Sequence, residues 1–145
     1  MTAEPGEAQR LAQNAADRMY ADDVASQSLG ITIENVAPGA ATARMRVTAA
    51  MVNGHAIAHG GYIFLVADTA FAFACNTRGA RVAGSADIVF LRPVREGEEL
   101  VAEARERALS GSSGVYDVTV RGMDGDVVAE FRGQSRRMRE PSSDG

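Results

Sequence analysis

Lysine and tryptophan are absent from this 145-residue chain, cysteine occurs once and proline four times. The 15 basic residues are therefore all arginine. Set against 19 acidic residues they leave a net charge of −4, so a general nucleic-acid-binding surface is not expected. The lone Cys75 excludes an internal disulfide and fits a reducing compartment. Long apolar runs are missing as well. The longest, Tyr62 to Cys75, is interrupted by Asp68 and Thr69 and falls short of the ~20 residues that a bilayer requires. The first twenty residues carry Glu4, Glu7, Arg10, Asp17 and Arg18, which is not the pattern of a secretory leader. The expectation is a cytoplasmic protein with no membrane and no nucleic-acid partner.

What is present is ordinary globular composition, 46% hydrophobic and 23% charged, at a length that suits one domain. That domain is expected over residues 7–139, between flexible tails at 1–6 and 140–145, which are small, polar and rich in Pro, Gly and Ser. Helix formers run from Glu7 to about Asp22, with Leu11, Ala15 and Met19 on one stripe. Ile31 and Ile33, then Ala41, Ala43, Met45 and Val47, alternate with polar residues as strands do, around a Pro38-Gly39 turn. A second helix, apolar almost all round, is predicted over about 60–76. Four strands follow at roughly 80–91, 99–109, 115–121 and 127–138. The short breaks between them predict a meander. The class is α+β: a curved antiparallel sheet of about six strands covering the apolar helix, with a helix at the N-terminus.

Asp68 stands out within that apolar helix. A carboxylate between Ile63-Phe64-Leu65-Val66-Ala67 and Ala70-Phe71-Ala72-Phe73-Ala74 is costly unless paired, hydrogen-bonded or protonated. It is either a structural aspartate satisfied by an arginine or a nucleophile or general base tuned by burial. His59-Gly60-Gly61 opens the same helix. Glycines there allow a ligand close to the unpaired N–H groups of a helix N-terminus, which suit an oxyanion or a polarised carbonyl; they equally serve a sharp turn. Gly61 and Asp68 lie near one face but about 10 Å apart along the axis. Reacting groups must meet within roughly 3–3.5 Å, so the two ends cannot serve one carbonyl within one helix. A catalytic role therefore predicts a two-fold dimer in which antiparallel helices bring the amides of one copy to the aspartate of the other.

The segment from Asn53-Gly54-His55 through His59-Gly60-Gly61, with Leu65-Val66-Ala67-Asp68-Thr69-Ala70-Phe71-Ala72-Phe73-Ala74-Cys75-Asn76, resembles the PaaI-type hotdog-fold thioesterases. The likeness continues through Phe90-Leu91-Arg92-Pro93, Gly114-Val115-Tyr116-Asp117-Val118 and Phe131-Arg132-Gly133. The resemblance implies a sheet wrapped around a central helix, homodimers paired into homotetramers, and hydrolysis of an acyl-CoA thioester with no metal and no cofactor beyond the coenzyme A of the substrate. By position it makes Asp68 the nucleophile or general base across the dimer interface and Gly60 the polarising amide, helped by Gly61. Asn53 lies near the thioester or the attacking water, and His59 positions the loop. Thr69 and Ser85 are further substrate-side candidates, Ser85 as a hydroxyl within a residue or two of one that related enzymes use. One departure is Asp22, where some relatives carry an active-site asparagine; a second carboxylate close to Asp68 would raise the pKa of one of the two.

Other signals have bland readings. His55 and His59 are four apart but lack a third ligand at metal spacing, and Cys75 has apolar flanks suited to an inert core thiol. Tyr62, Phe64, Phe71 and Phe73 could line an aryl pocket, although core packing is the default for such spacing. Arg92, Arg95, Arg136 and Arg137 could meet CoA phosphates. Two rivals to the hydrolase remain at this point. A thioester hydratase on the same fold would pair a histidine with the carboxylate, and none sits beside Asp68. A non-catalytic acyl-CoA sensor would bind without turnover.

Overall fold

The computed structural model describes residues 5–138, so the proposed tail at 140–145 and the first four residues lie outside it. Helix α1 spans Pro5–Asp22 and the short α2 spans Val24–Ser28. Strands β1 (Thr32–Ala37) and β2 (Ala40–Arg46) come next, then a 3-10 turn at Ala49–Met51 and helix α3 (Gly60–Cys75). The last four strands are β3 (Arg81–Phe90), β4 (Glu99–Ser110), β5 (Ser113–Arg121) and β6 (Val127–Arg137). All pairings in the single six-stranded sheet are antiparallel, in the order β1-β2-β4-β5-β6-β3. Helix α3 touches every strand. That is the wrapped central helix expected from its nearly uniform apolar surface.

The meander holds only in part. Strands β4, β5 and β6 are consecutive neighbours, but β3 pairs with β6, from Arg81↔Arg137 to Phe90↔Ala129, and forms the far edge. Residues 91–98 are therefore a crossing and not a hairpin. Leu91 N–H donates to Val128 O (2.8 Å), Ala58 N–H donates to Val94 O (2.7 Å), and Val94 is fully buried. Residue alternation fixes which face of a strand is apolar; it says nothing about which sheet edge the strand joins.

Helix α1 begins at Pro5, two residues before the predicted start, where the fixed φ of proline suits a first turn. Its buried stripe also differs from the predicted one. Ala12 and Ala16 pack inward, whereas Leu11 is 54% exposed and, with Ala15 and Met19, borders a cleft against residues 76–80. The stripe is rotated by about one residue, roughly 100° of helix, because two alanines lie closer to β1 than a leucine would allow. Gln9 Nε2 donates to Val36 O (2.6 Å) and Tyr20 Oη donates to Ile31 O (2.7 Å), fixing that seating.

Inside the sheet, Phe71 lies 5.6 Å from the Tyr116 ring and 5.7 Å from Phe131, and Phe64 packs on Phe131 at 5.4 Å. Phe71 and Phe73 are fully buried core residues, and Phe64 is partly buried against the same core. Gly133 admits the Phe71 ring: a Cβ at that position would sit 2.8 Å from two of its carbons. Gly133→Ala is expected to cost about 1–3 kcal/mol, since the enclosed ring cannot move away. Urea unfolding measures this as a lowered midpoint at unchanged slope.

Candidate active site

The loop before α3 is held by Asn53. Its side-chain oxygen accepts from His55 N–H (2.9 Å) and Ile57 N–H (3.4 Å), while its backbone exchanges hydrogen bonds with Ala56 and Ile57. This brace keeps Ala56 at a φ of +62°, a left-handed conformation that costs a non-glycine residue on the order of 1 kcal/mol. The Asn53 carbonyl oxygen is thus committed to the loop, and its amide N–H₂ is the group left to offer.

His59 is the N-cap of α3. Its Nδ1 accepts from Gly61 N–H at 3.1 Å. This alters the part expected of Gly61, whose amide is already occupied. The Gly60 N–H has no acceptor among the described residues. It opens onto a cleft of 470 Å³ lined by Asn53, Ile57, Gly60, Ile63, Phe90 and Arg92, among others. The cleft is thus lined by Gly60, whose first-turn N–H is free, and by Asn53, among mostly apolar residues, and a free helix N-terminal N–H suits a carbonyl or carboxylate oxygen.

Asp68 lies two turns further on, half-buried on the face of α3 that the sheet leaves open, with Gly61, Leu65 and Ala72. No described residue hydrogen-bonds or ion-pairs its carboxylate. Desolvation raises its pKa above the ordinary aspartate value. The structural alternative, an aspartate neutralised by an arginine, is not what α3 contains. Because the folded state favours the protonated form, stability falls as pH rises from the ordinary aspartate pKa through the raised one. Asp68→Asn is therefore expected to be more stable than wild type at neutral pH and indistinguishable from it in strong acid. Thermal melts across pH test the sign.

This constellation of capped helix, free first amide and solitary mid-helix carboxylate can be set beside known proteins. Residues 55–129 match the model of the Thioesterase superfamily. The chain is 45% identical over 124 residues to the acyl-coenzyme A thioesterase PaaI of Escherichia coli, covering 85% of this chain and 89% of that protein. The solved structure of E. coli PaaI, from the phenylacetic acid degradation operon, superposes with a TM-score of 0.88 at 43% identity, over 90% of this chain and 96% of that one. A variant of the phenylacetic acid degradation protein PaaI from Thermus thermophilus gives 0.76 at 38% identity, over 78% and 97%. The chain belongs to the thioesterase superfamily. Within it, it is a PaaI-type member with the hotdog fold, and so a hydrolase of thioester bonds.

Against that family the remaining candidates sort themselves. Thr69 is buried, and its hydroxyl lies 3.5 Å from Ser26 Oγ; Ser26 in turn binds Asp23, the N-cap of α2. Within one chain Thr69 thus links α3 to α2 beside Asp68. Asp22 is exposed at the end of α1 and contributes nothing to the shifted pKa of Asp68, so the carboxylate pair does not form within one chain. Ser85 is exposed on β3, 3.4 Å from Gln134 Oε1. No group of three or more His, Cys, Asp or Glu side chains has metal-holding geometry among the described residues, and none of their helices is long and apolar enough to cross a membrane. Arg92 is fully engaged by Glu98, Asp126 and Pro93 O at 2.5–3.1 Å, which leaves it no face for a phosphate. Sequence reasoning gave Asp23 and Phe90 no role. A helix N-cap was legible in Asp23 three residues before Ser26; nothing in local sequence marks Phe90 as a cleft wall.

Proposed function

We propose that this thioesterase hydrolyses acyl-CoA to the free acid and CoA, with aryl-acyl groups such as phenylacetyl or hydroxyphenylacetyl preferred and medium-chain acyl groups next. The observation that carries it is the unpaired, half-buried Asp68 on the open face of a helix whose first amide is free. The thioester oxygen accepts from Gly60 N–H, which sharpens the carbonyl carbon as an electrophile. Asp68 then either attacks that carbon, expelling the CoA thiolate and leaving a mixed anhydride for water to open, or takes a proton from a water that attacks directly. Isotope from labelled water incorporated into Asp68 in a single turnover identifies the first route.

Gly60 and Asp68 are about 12 Å apart on one helix at 1.5 Å per residue, so the reading requires a second copy. Two features support a two-fold dimer. The β3 edge carries Val82, Val89 and Phe90, each about half exposed, and Leu91 follows them; such an edge invites a pairing strand. The open face of α3 is the surface that antiparallel helices would share. Dimers of such dimers complete the proposed homotetramer, working in the cytoplasm.

A thiol-release assay over phenylacetyl-, hydroxyphenylacetyl- and medium-chain acyl-CoAs tests the proposal. Release is expected from all three, with the highest kcat/KM on the aryl substrates. Binding without release from any of them would mark an acyl-CoA sensor instead.

A further inference from the structure

Phe90 is the last residue of β3 and shares the helix-facing side of that strand with Ala86 and Ile88, which pack against the core. It does not join them. The residue is 48% exposed, and its ring lies against the first turn of α3. There its tip occupies the place of a missing side chain: a Cβ on Gly60 would stand 3.1 Å from Phe90 Cζ and 3.5 Å from both flanking ring carbons. The same residue lines the 470 Å³ cleft together with Asn53 and Ile57. An aromatic ring half open to solvent retains apolar surface that only a ligand or a neighbouring chain can cover. The three atoms nearest to where a Gly60 side chain would stand all belong to this ring, so the space beside the free amide is bounded by Phe90.

We infer that Phe90 is a specificity-determining residue, its ring setting how large an acyl group fits beside the Gly60 amide. The inference rests on the thioesterase reading above and deepens it. Phe90→Ala opens the space next to Gly60, and Phe90→Trp narrows it without removing apolar surface. One methylene gained or lost in a hydrophobic pocket discriminates by roughly 10–200-fold. The ratio of kcat/KM for a long straight-chain acyl-CoA to that for phenylacetyl-CoA is therefore expected to rise at least about tenfold in Phe90→Ala and to fall in Phe90→Trp.

A purely structural role would lower kcat/KM by one common factor for every substrate, and that result, or an unchanged profile in both variants, overturns the assignment. Should Phe90→Ala fail to fold, Phe90→Trp carries the test, since it keeps an aromatic ring at that place. The two readings fail separately. Wild type inert on the whole panel removes the hydrolase, whereas an active wild type with an unmoved selectivity ratio removes only the role of Phe90.

Discussion

Asp68→Asn is expected to reduce turnover at least a hundredfold, on the order of 3 kcal/mol in the barrier. Asparagine keeps the shape of the side chain but can neither attack a thioester nor accept a proton from water at neutral pH. Nothing in the fold depends on the charge, because no described residue pairs with it and desolvation already opposes it. The same substitution is expected to raise stability at neutral pH. The loss of rate would then accompany a more stable protein, which a folding defect cannot produce. Single-turnover CoA release with melting curves on the same preparation measures both. Retention of most activity would remove Asp68 from the mechanism.

The second large effect is expected at Gly60. Proline there deletes the free N–H at a helix position that accepts proline well. It also fits the chain before it, since His59 at φ −62° and ψ 133° already has the extended backbone required of a residue preceding proline. Loss of one oxyanion donor lowers kcat about 10²–10³-fold. Gly60→Ala is the matched control. It keeps the N–H while its Cβ meets Phe90 at 3.1 Å, so its effect belongs mainly in KM. Equal kcat losses in the two variants would show that crowding, and not the donor, controls the rate.

The elements and their faces were legible because composition and alternation carry them. The apolar run of α3 declared itself, and the one-sided strands β4 and β5 bury Leu100, Ala102, Ala104, Tyr116, Val118 and Val120 as their alternation predicts. Strand order was less legible, since β3 could join either neighbour until the crossing at 91–98 was placed. The inward stripe of α1 was legible only at Met19, which packs on the core, because the small Ala12 and Ala16 leave little hydrophobic signal. At the site, Asp68 and Gly60 were readable from a charge and a glycine where an apolar helix tolerates neither without reason. That His59 occupies the Gly61 amide, and that the Asn53 oxygen is spent on its own loop, are matters of hydrogen-bond geometry that residue identity does not reveal. The same holds for Arg92, a candidate phosphate ligand by type that is saturated by Glu98 and Asp126 in the fold.

Two inactive proteins provide the most direct test. Subunits carrying Asp68→Asn and subunits carrying Gly60→Pro are each expected to form dead dimers. A hybrid dimer of one of each contains one site built from two damaged halves and one built from two intact halves, if every site takes its amide from one chain and its carboxylate from the other. Differently tagged subunits, co-expressed and isolated as the hybrid, should recover about half the wild-type kcat per dimer. A hybrid as inactive as its parents would place Gly60 and Asp68 in the same site of the same chain and contradict the shared-site dimer.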